Sequence, residues 1–152
     1  MIQWYKSEDL LFLLEVHNSI LKTILVPAFF NWTAETLTEE LQIAKAIIFK
    51  GDHNRVDGFI VFRENSEAIE ITVLATHRGL QKTGVMTRLI QFLQDYAAQQ
   101  DKPIWLEVHL QNQAARQVYM KNAFEISHER KDYYRDGASA CVLSWRSPPD
   151  IK

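Results

Sequence analysis

The sequence predicts a mixed α/β domain of the α+β type, with a mostly antiparallel central sheet of about seven strands flanked by about four helices. Apolar runs of strand length alternate with longer segments of helical periodicity in the order β-α-α-β-β-β-α-β-α-β-β. Several consecutive strands are joined by turns of only a few residues, which favours antiparallel pairing. The 152 residues are enough for one domain, which we assign to residues 1–147, followed by a C-terminal tail at 148–152.

The composition is typical of a globular protein and argues against several functions. Hydrophobic residues make up 47% of the chain, charged residues 24%, and the formal net charge is −2. No nucleic-acid partner is expected, because such proteins normally carry a positive balance. Charged residues interrupt the apolar runs near the N-terminus and no secretory signal is recognised. We therefore expect a cytoplasmic protein that does not bind a membrane.

The cysteine and histidine residues do not predict a metal site. The single cysteine, Cys141, lies in an apolar run and is expected to be a small core residue, and it has no partner for an internal disulfide. The five histidines show no paired spacing on one element. We therefore predict that no metal is bound.

The N-terminal part is predicted to contain one strand and two helices. Residues 2–5 form a short strand. Ser7 is the predicted N-cap of the first helix, because two acidic residues follow it and apolar residues then recur at helical spacing. After an aromatic-rich break at 27–32, Thr33 is the predicted N-cap of the second helix.

The middle of the chain is predicted to be a three-stranded antiparallel unit. Residues 45–50, 56–63 and 67–76 are rich in apolar and β-branched residues, which is typical of strands. A Gly-Asp-His-Asn turn at 51–54 joins the first two strands, and an Asn-Ser turn at 65–66 precedes the third.

Helices and strands alternate in the second half. A helix is predicted at 83–100, where apolar residues recur along one side. A strand at 104–109 follows, and then a helix that begins near Asn112. Two final strands, at 124–134 and 138–145, are predicted to close as a hairpin around an Asp-Gly turn.

The most informative segment is 73–86, where an apolar strand runs through a polar turn into a long amphipathic helix. The first N–H groups of a helix lack intrahelical partners and lie at the positive end of the helix dipole. Gly84 allows the backbone to approach an anion closely. The segment is therefore a candidate site for a phosphate or pyrophosphate, and the alternative is a strand–turn–helix joint without a ligand.

A second informative segment lies about 30 residues further on. The sequence Trp-Leu-Glu-Val at 105–108 is a predicted strand, and the helix after it carries Asn112 and Tyr119, followed by Phe124. Asn112 and Tyr119 are close to two helical turns apart, so both point the same way. Asn112 is either a ligand-binding residue or a helix cap, and Tyr119 is either a functional or a core tyrosine.

The order and spacing of these segments resemble the GNAT superfamily, the acetyl-CoA-dependent N-acyltransferases, over essentially the whole chain. The family signature Gln/Arg-x-x-Gly-x-Gly/Ala corresponds to residues 81–86, and the family's helix segment corresponds to Asn112, Tyr119 and Phe124. The resemblance implies the GNAT fold, acetyl-CoA as cofactor with coenzyme A as product, and transfer of an acetyl group to a primary amine.

The resemblance also implies which residues hold acetyl-CoA. Backbone amides of the turn would bind the pyrophosphate, and backbone groups of Leu74 and Thr76 would pair with the pantetheine arm. Asn112 would hydrogen-bond the cofactor. The implied turn residues are Gln81, Lys82, Thr83, Gly84, Val85 and Met86. Met86 replaces the Gly or Ala of the family, and its longer side chain is expected to crowd the pantetheine arm or the helix–sheet contact.

Three residues are implied to be catalytic. Glu107 lies in a Trp-Leu-Glu-Val strand similar to that of the bacterial ribosomal-protein alanine N-acetyltransferases, whose glutamate is the proposed base. Glu70 lies where the histone-acetylating branch carries its base. The flanking residues favour Glu107, and Glu70 is the alternative. Tyr119 would protonate the departing thiolate, and a backbone N–H near residues 74–76 would polarise the carbonyl group.

The acceptor amine is less narrowly predicted. Trp32, in Asn-Trp-Thr, and Tyr133 and Tyr134 resemble acceptor-side residues of the alanine N-acetyltransferases, although the early aromatic residues could instead seal the core. The leading hypothesis is the N-terminal amine of a protein. The alternatives are a small-molecule amine, such as a polyamine, amino acid or drug, and a non-catalytic acetyl-CoA-binding module. We expect a monomer or a homodimer.

Overall fold

The computed structural model describes residues 1–24, 29–131, 133, 137 and 139–149. Within them the chain forms seven strands and four α-helices, in the predicted order. The strands are β1 (Ile2–Trp4), β2 (Lys45–Lys50), β3 (Val56–Glu64), β4 (Ile69–Thr76), β5 (Ile104–His109), β6 (Glu125–Arg130) and β7 (Ala140–Trp145). The helices are α1 (Leu10–Thr23), α2 (Ala34–Ile43), α3 (Val85–Gln100) and α4 (Gln113–Lys121).

The seven strands form one sheet in the order β1-β2-β3-β4-β5-β7-β6. Every neighbouring pair is antiparallel except β4 and β5, which are parallel. A parallel pair needs a crossover connection, and α3 supplies it here. The predicted mixed, mostly antiparallel sheet is therefore confirmed.

One extra residue interrupts the pairing of β4 with β3. Val61 pairs with Val73 and Phe62 with Ile71, so Thr72 has no opposite residue in the register. Such a bulge bends its strand. It also shifts the alternation of side chains by one residue, because successive residues of a strand point to opposite faces.

Helices cover the sheet on both faces. On the face that we call the α3 face, α3 and α4 bury a core that includes Leu89 and Tyr119. On the opposite, α1 face, α1 and α2 bury a second core that includes Leu13 and Leu37. Among the described residues, this second core takes no side chain from β5, β6 or β7. The α1 face of these three strands is therefore left outside the helix-covered core.

The structure corrects one cap and shortens the last hairpin. Ser7 is not a helix cap: it begins a 3-10 turn, Ser7–Asp9, that precedes α1. Instead, the Asp9 carboxylate accepts a hydrogen bond from Lys6 N at 2.9 Å. The predicted cap at Thr33 is confirmed, because its hydroxyl accepts a hydrogen bond from Thr36 N at 3.1 Å. Of the predicted ends of the last two strands, residues 131, 133 and 139 lie outside β6 and β7, and residues 132, 134 and 138 lie outside the described residues.

Cys141 lies on β7 and is 1% exposed, which confirms its prediction as a core residue. Burial raises the pKa of its thiol, so the thiolate that a nucleophile needs is disfavoured. None of the helices in the described part of the chain has both the length and the apolar character needed to span a membrane.

Candidate active site

The turn between β4 and α3 is closed by its own hydrogen bonds. A 3-10 turn at Arg78–Leu80 follows β4, and His77 Nδ1 accepts a hydrogen bond from Gly79 N at 3.2 Å. The Thr83 hydroxyl donates to the carbonyl oxygen of Leu80. These bonds fix the shape of the turn and do not use the N–H groups at the start of α3.

The start of α3 at Gly84 has the features of an anion site. Gly84 is left-handed, with φ of +92°, a conformation that glycine adopts without strain. Among the described residues, no side chain caps this end of the helix. A Cβ atom added to Gly84 would meet nothing within 4 Å, so the space beside it is open. The preceding residues Gln81, Lys82 and Thr83 are exposed.

The Met86 side chain lies at the contact between α3 and the sheet. Its half-buried side chain packs against the α3-face core, as does that of Leu74 on β4, whereas Val85 is itself part of the core. Met86 was expected to crowd either the pantetheine arm or the contact between helix and sheet. The structure places its side chain at the contact between α3 and the sheet.

Gly58, on β3, fixes how closely α3 approaches the sheet. A Cβ atom at this position would lie 2.9 Å from Val85 Cγ1 and 3.1 Å from the carbonyl oxygen of Ala75. Gly58 is also the register partner of Thr76, the last residue of β4. The absence of a side chain thus brings the first turn of α3 directly beside the end of β4. The sequence analysis did not single out Gly58, although a glycine inside a predicted strand often marks such an approach.

β4 and β5 separate toward their C-terminal ends. They form two register pairs, Ile69–Ile104 and Glu70–Trp105, both at the start of the strands. Beyond these pairs, within the described residues, the two strands continue without pairing. Leu74 and Thr76 therefore lie where the edge of β4 toward β5 is open. A peptide-like ligand can pair with a strand edge of this kind.

Asn112 is the N-cap of α4, and its Oδ1 atom accepts a hydrogen bond from Ala115 N at 3.2 Å. Of the two roles considered for Asn112, the structure contains the capping role. The cap uses only the side-chain oxygen, and an asparagine side chain also carries two N–H donors. A cofactor hydrogen bond from the Nδ2 atom is compatible with the cap.

Tyr119 lies on α4 and is 6% exposed, within the α3-face core. Its ring centroid is 5.9 Å from that of Phe124. The aromatic ring of Tyr119 is thus part of the core, which was one of the two roles considered for this residue. Its position on the α3 face sets it on the side of the sheet where α3 begins.

Glu107 lies on the opposite, α1 face. The neighbouring β5 residues Leu106 and Val108 belong to the α3-face core, so the side chain between them points the other way. The Glu107 carboxylate forms an ion pair with Arg130 of β6 at 3.0 Å. It also accepts a hydrogen bond from the Tyr133 hydroxyl, which raises the pKa of this tyrosine. The Arg130 guanidinium lies 5.2 Å from the Tyr133 ring centroid.

Glu70, on β4, has different surroundings on the same face. It is half-buried, and burial and the nearby Glu107 carboxylate raise its pKa. Within the described residues it forms no ion pair of its own, in contrast to Glu107. Perturbed carboxyl groups of this kind often mark functional sites.

The early aromatic residues pack inward. Trp32 is half-buried against the α1-face core, and its carbonyl oxygen lies 2.6 Å from His17 Nε2. The ring of Phe29 lies 4.9 Å from that of His109, at the end of β5. Core packing is thus sufficient to explain the position of Trp32. Phe29 lies beside the C-terminal end of β5. Tyr134, also predicted to contact the acceptor, lies outside the described residues.

The candidate residues therefore lie on both faces of the sheet, around the part where β4 and β5 separate. The α3 face contributes the open start of the helix, Asn112 and Tyr119, and the α1 face contributes Glu70 and Glu107. The pairing of Arg130 with Glu107 was not predicted. The two residues lie on strands that β7 separates, and nothing in the sequence sets how these strands align.

Comparison with known proteins identifies a family. Residues 10–124 match the model of the Acetyltransferase (GNAT) family. A search of curated protein sequences found no relative with significant similarity.

The chain is also similar to solved structures of this family. It covers 100% of its length and 98% of the ribosomal-protein-S18-alanine N-acetyltransferase from Escherichia coli, with 18% identity and a TM-score of 0.79. A GNAT family acetyltransferase from Elizabethkingia anophelis with acetyl-CoA bound is 15% identical, with 97% of both chains covered and a TM-score of 0.76. A nourseothricin acetyltransferase is 20% identical over 70% of this chain and 66% of that chain, with a TM-score of 0.64. At these identities the likeness shows the shared fold.

Proposed function

Because the chain belongs to the acetyltransferase (GNAT) family, we propose that it transfers an acetyl group from acetyl-CoA to a primary amine where β4 and β5 separate. The observation that carries this proposal is the open start of α3, which no described side chain caps, beside the edge of β4 that β5 leaves unpaired in the described part of the chain. Such a helix start binds a phosphate, and the strand edge beside it can pair with the rest of an extended ligand.

The residues present fit acetyl-CoA at three points. The N–H groups that follow Gly84 suit its pyrophosphate, and Lys82 adds a positive charge at the exposed rim. The open edge at Leu74 and Thr76 suits the amide groups of the pantetheine arm. The Nδ2 atom of Asn112 supplies a further donor from the start of α4.

Acetyl-CoA supplies the acetyl group as a thioester. The chain contributes groups from both faces of the sheet. A backbone N–H near the end of β4 polarises the thioester carbonyl, and the Tyr119 hydroxyl donates a proton to the departing sulfur. Holding the amine against the thioester also contributes to the rate, because it removes the entropic cost of bringing the two together during reaction.

We assign removal of the ammonium proton first to Glu107. It lies on β5 at the separation of the strands, and the Arg130 pair 3.0 Å away shows that its carboxylate accommodates a cation, as an incoming ammonium group requires. Glu70 is the second candidate, and one observation favours it. Its pKa is raised, and a general base is most effective when its pKa is near the working pH.

For the acceptor we propose the N-terminal amine of a protein. An α-amino group has a pKa of about 7.7–8.0 and is substantially neutral near pH 7.4, whereas a lysine amine at about 10.4 is almost entirely protonated. An acceptor of the first kind therefore demands less of the group that removes its proton. The similarity to an enzyme named for a ribosomal-protein alanine also supports this acceptor. The similarity to a nourseothricin acetyltransferase keeps a small-molecule amine as the alternative.

Binding of acetyl-CoA is tested by calorimetry on two matched glycine variants. Gly84 and Gly137 both have positive φ and open space around them, so an alanine strains both positions alike. We expect Gly84→Ala to weaken acetyl-CoA binding by about tenfold or more, which corresponds to about 1.4 kcal/mol. Gly137→Ala should bind as the unmodified chain does. Equal affinity in both variants would contradict a pyrophosphate site at Gly84.

Turnover is tested by thiol release from acetyl-CoA with a panel of acceptors. Release with a peptide that begins with alanine supports the protein N-terminus, and release only with small amines supports the alternative. Tight binding of acetyl-CoA without release on any acceptor would favour a non-catalytic binding module. Tyr119→Phe should lower kcat by about 100-fold and leave acetyl-CoA affinity unchanged. An equal loss of both would make Tyr119 a binding residue.

A further inference from the structure

Five charged side chains form a continuous group on the α1 face, beside the proposed acceptor site. They are Glu40 of α2, Arg63 of β3, Glu70 of β4, Glu107 of β5 and Arg130 of β6. Each arginine is bound to one carboxylate, Arg63 to Glu40 and Arg130 to Glu107. Glu70 lies between the two pairs.

The pair between Glu40 and Arg63 has the geometry of a strong contact. Arg63 Nε lies 2.9 Å from one Glu40 oxygen and Arg63 Nη2 lies 2.7 Å from the other. Such two-point contacts fix the orientation of the guanidinium group as well as its position. The Glu40 side chain is 6% exposed. The hydrogen bond from Arg63 lowers the pKa of Glu40, so this carboxylate remains ionised and keeps its hold on the cation.

Arg63 has a second carboxylate within its neighbourhood. In the pairing of β3 with β4, Arg63 is directly opposite Glu70, and side chains at opposite positions of antiparallel strands interact. An arginine and a glutamate in this relation would normally pair. Glu40 instead reaches Arg63 from α2 and binds the Nε–Nη2 edge of its guanidinium group.

We propose that Glu40 is a positioning residue for the acceptor site. By binding Arg63, it keeps that cation from Glu70, so that the Glu70 carboxylate is available to accept a proton beside Glu107. The consequence for acetyl transfer rests on the proposed function, whereas the effect of Glu40 on Glu70 does not.

The groups that face Glu70 from each neighbouring element support this arrangement. Burial and the Glu107 carboxylate raise the pKa of Glu70, and Glu40 adds to the rise. Arg63 and Arg130 act in the opposite direction, and each is held by another carboxylate. Releasing Arg63 should therefore lower the affinity of Glu70 for a proton.

The test is an NMR titration of the Glu70 carboxyl group in the full chain labelled with ¹³C-glutamate. In Glu40→Gln we expect the pKa of Glu70 to fall by about one pH unit or more, as a cation at ion-pair distance normally causes. Glu39→Gln is the matched control, because Glu39 is the exposed neighbour on the same helix. This control removes the same charge and should leave the titration of Glu70 unchanged.

A double variant separates the release of Arg63 from the direct effect of removing a negative charge. In Glu40→Gln/Arg63→Gln the pKa of Glu70 should return at least to its original value. An unchanged pKa of Glu70 in Glu40→Gln, or a fall that persists in the double variant, would overturn the proposal.

The pH dependence of acetyl transfer provides the functional readout. If Glu70 shares the proton-accepting role, the low-pH limb of kcat/KM should move to lower pH in Glu40→Gln and not in Glu39→Gln. A limb that does not move would show that Glu40 positions Glu70 without consequence for the reaction and would overturn that part. Failure of the proposed function is recognised separately, as absence of acetyl transfer by the unmodified chain.

Discussion

Glu64 and Glu70 lie on opposite faces of the sheet at neighbouring positions of the β3–β4 hairpin, yet their surroundings differ sharply. The Glu64 carboxylate is 2.8 Å from Lys45 Nζ and 2.7 Å from Lys102 Nζ, and it accepts a hydrogen bond from the Tyr96 hydroxyl at 2.6 Å. Glu70 is half-buried near a second carboxylate, Glu107, and has no ion pair within the described residues.

The pKa values of the two groups follow these surroundings. Burial alone would raise the pKa of Glu64, but hydrogen bonds from Lys102, Lys45 and Tyr96 lower it to about 2. For Glu70, burial and Glu107 raise the pKa, and the nearby arginines do not reverse the rise. The comparison shows that a buried carboxylate stabilises the fold where its donors are complete. Where they are incomplete, its charge weakens the fold and gives it the basicity that chemistry can use.

The largest expected difference between the Glu64 region and the region of Glu70 and Glu107 is in enzymatic activity. Glu107→Gln should lower kcat/KM by about 100-fold, because a general base contributes about that much or more, and it should flatten the low-pH limb of the rate profile. Glu64→Gln is the control and should keep the kcat/KM of the unmodified chain when measured per folded molecule. An unchanged limb in Glu107→Gln would transfer the role of base to Glu70.

The next effect is on stability at neutral pH. Glu64→Gln should lower the free energy of unfolding by about 1–3 kcal/mol, because it weakens hydrogen bonds to two ammonium groups in a largely buried position. Chemical denaturation at pH 7 measures this difference. Loss of stability without loss of activity is the pattern expected of a purely structural carboxylate. Loss of activity without loss of stability in Glu64→Gln would mean that Glu64 also serves the reaction.

Acid pH should sharpen the contrast further. Since the pKa of Glu64 is lower in the folded chain than in the unfolded chain, its stabilisation is present above its ordinary pKa. It should be lost as the pH falls from about 5 toward about 2. The free energy of unfolding should therefore decline less steeply over this range in Glu64→Gln than in the unmodified chain. Parallel curves would show that the lysine contacts do not lower the pKa of Glu64.

The smallest effect is expected for Glu70→Gln, and it should have the opposite sign. A carboxyl group whose pKa is raised by folding favours the folded state at low pH, and this advantage is lost as the pH rises through the folded-state pKa. At pH 7 the substitution should leave the free energy of unfolding unchanged or raise it by less than about 1 kcal/mol. Destabilisation at pH 7 would mean that Glu70 has a stabilising partner.

Local signals in the sequence were sufficient for most of the elements and for the strand–turn–helix junction at Gly84. The cap at Thr33, the run of short-turn strands and the Gly84 junction depend on neighbouring residues, and the structure has each of them. The predicted start of the first helix was wrong because Ser7 and Asp9, two positions apart, are both residue types that commonly cap helices. Only the 3-10 turn and the Lys6–Asp9 hydrogen bond decide between them.

The other features depend on contacts between distant residues. The role of Gly58 depends on where α3 packs against β3. The pairing of Glu40 with Arg63 depends on how α2 packs against the sheet. Similarly, two glutamates were recognised as candidate bases, but their difference arises from cations on other strands. Electrostatic surroundings of this kind follow from the register and packing, which the periodicity of a single sequence does not specify.

The unpaired residue at Thr72 makes the length of β4 as important as its composition. Glu70 points to one face and Leu74 to the other only because one surplus residue separates them. If the bulge were flattened with Thr72 still in the strand, every following position would invert, and Val73 and Ala75 would point toward α3. Deleting Thr72 would instead keep each of them on its present face, because Val73 would then follow Ile71 directly. The codon of Thr72 is thus one that evolution can remove without exchanging the two sides of β4, whereas loss of a codon elsewhere in the strand, with the bulge in place, would exchange them beyond that point.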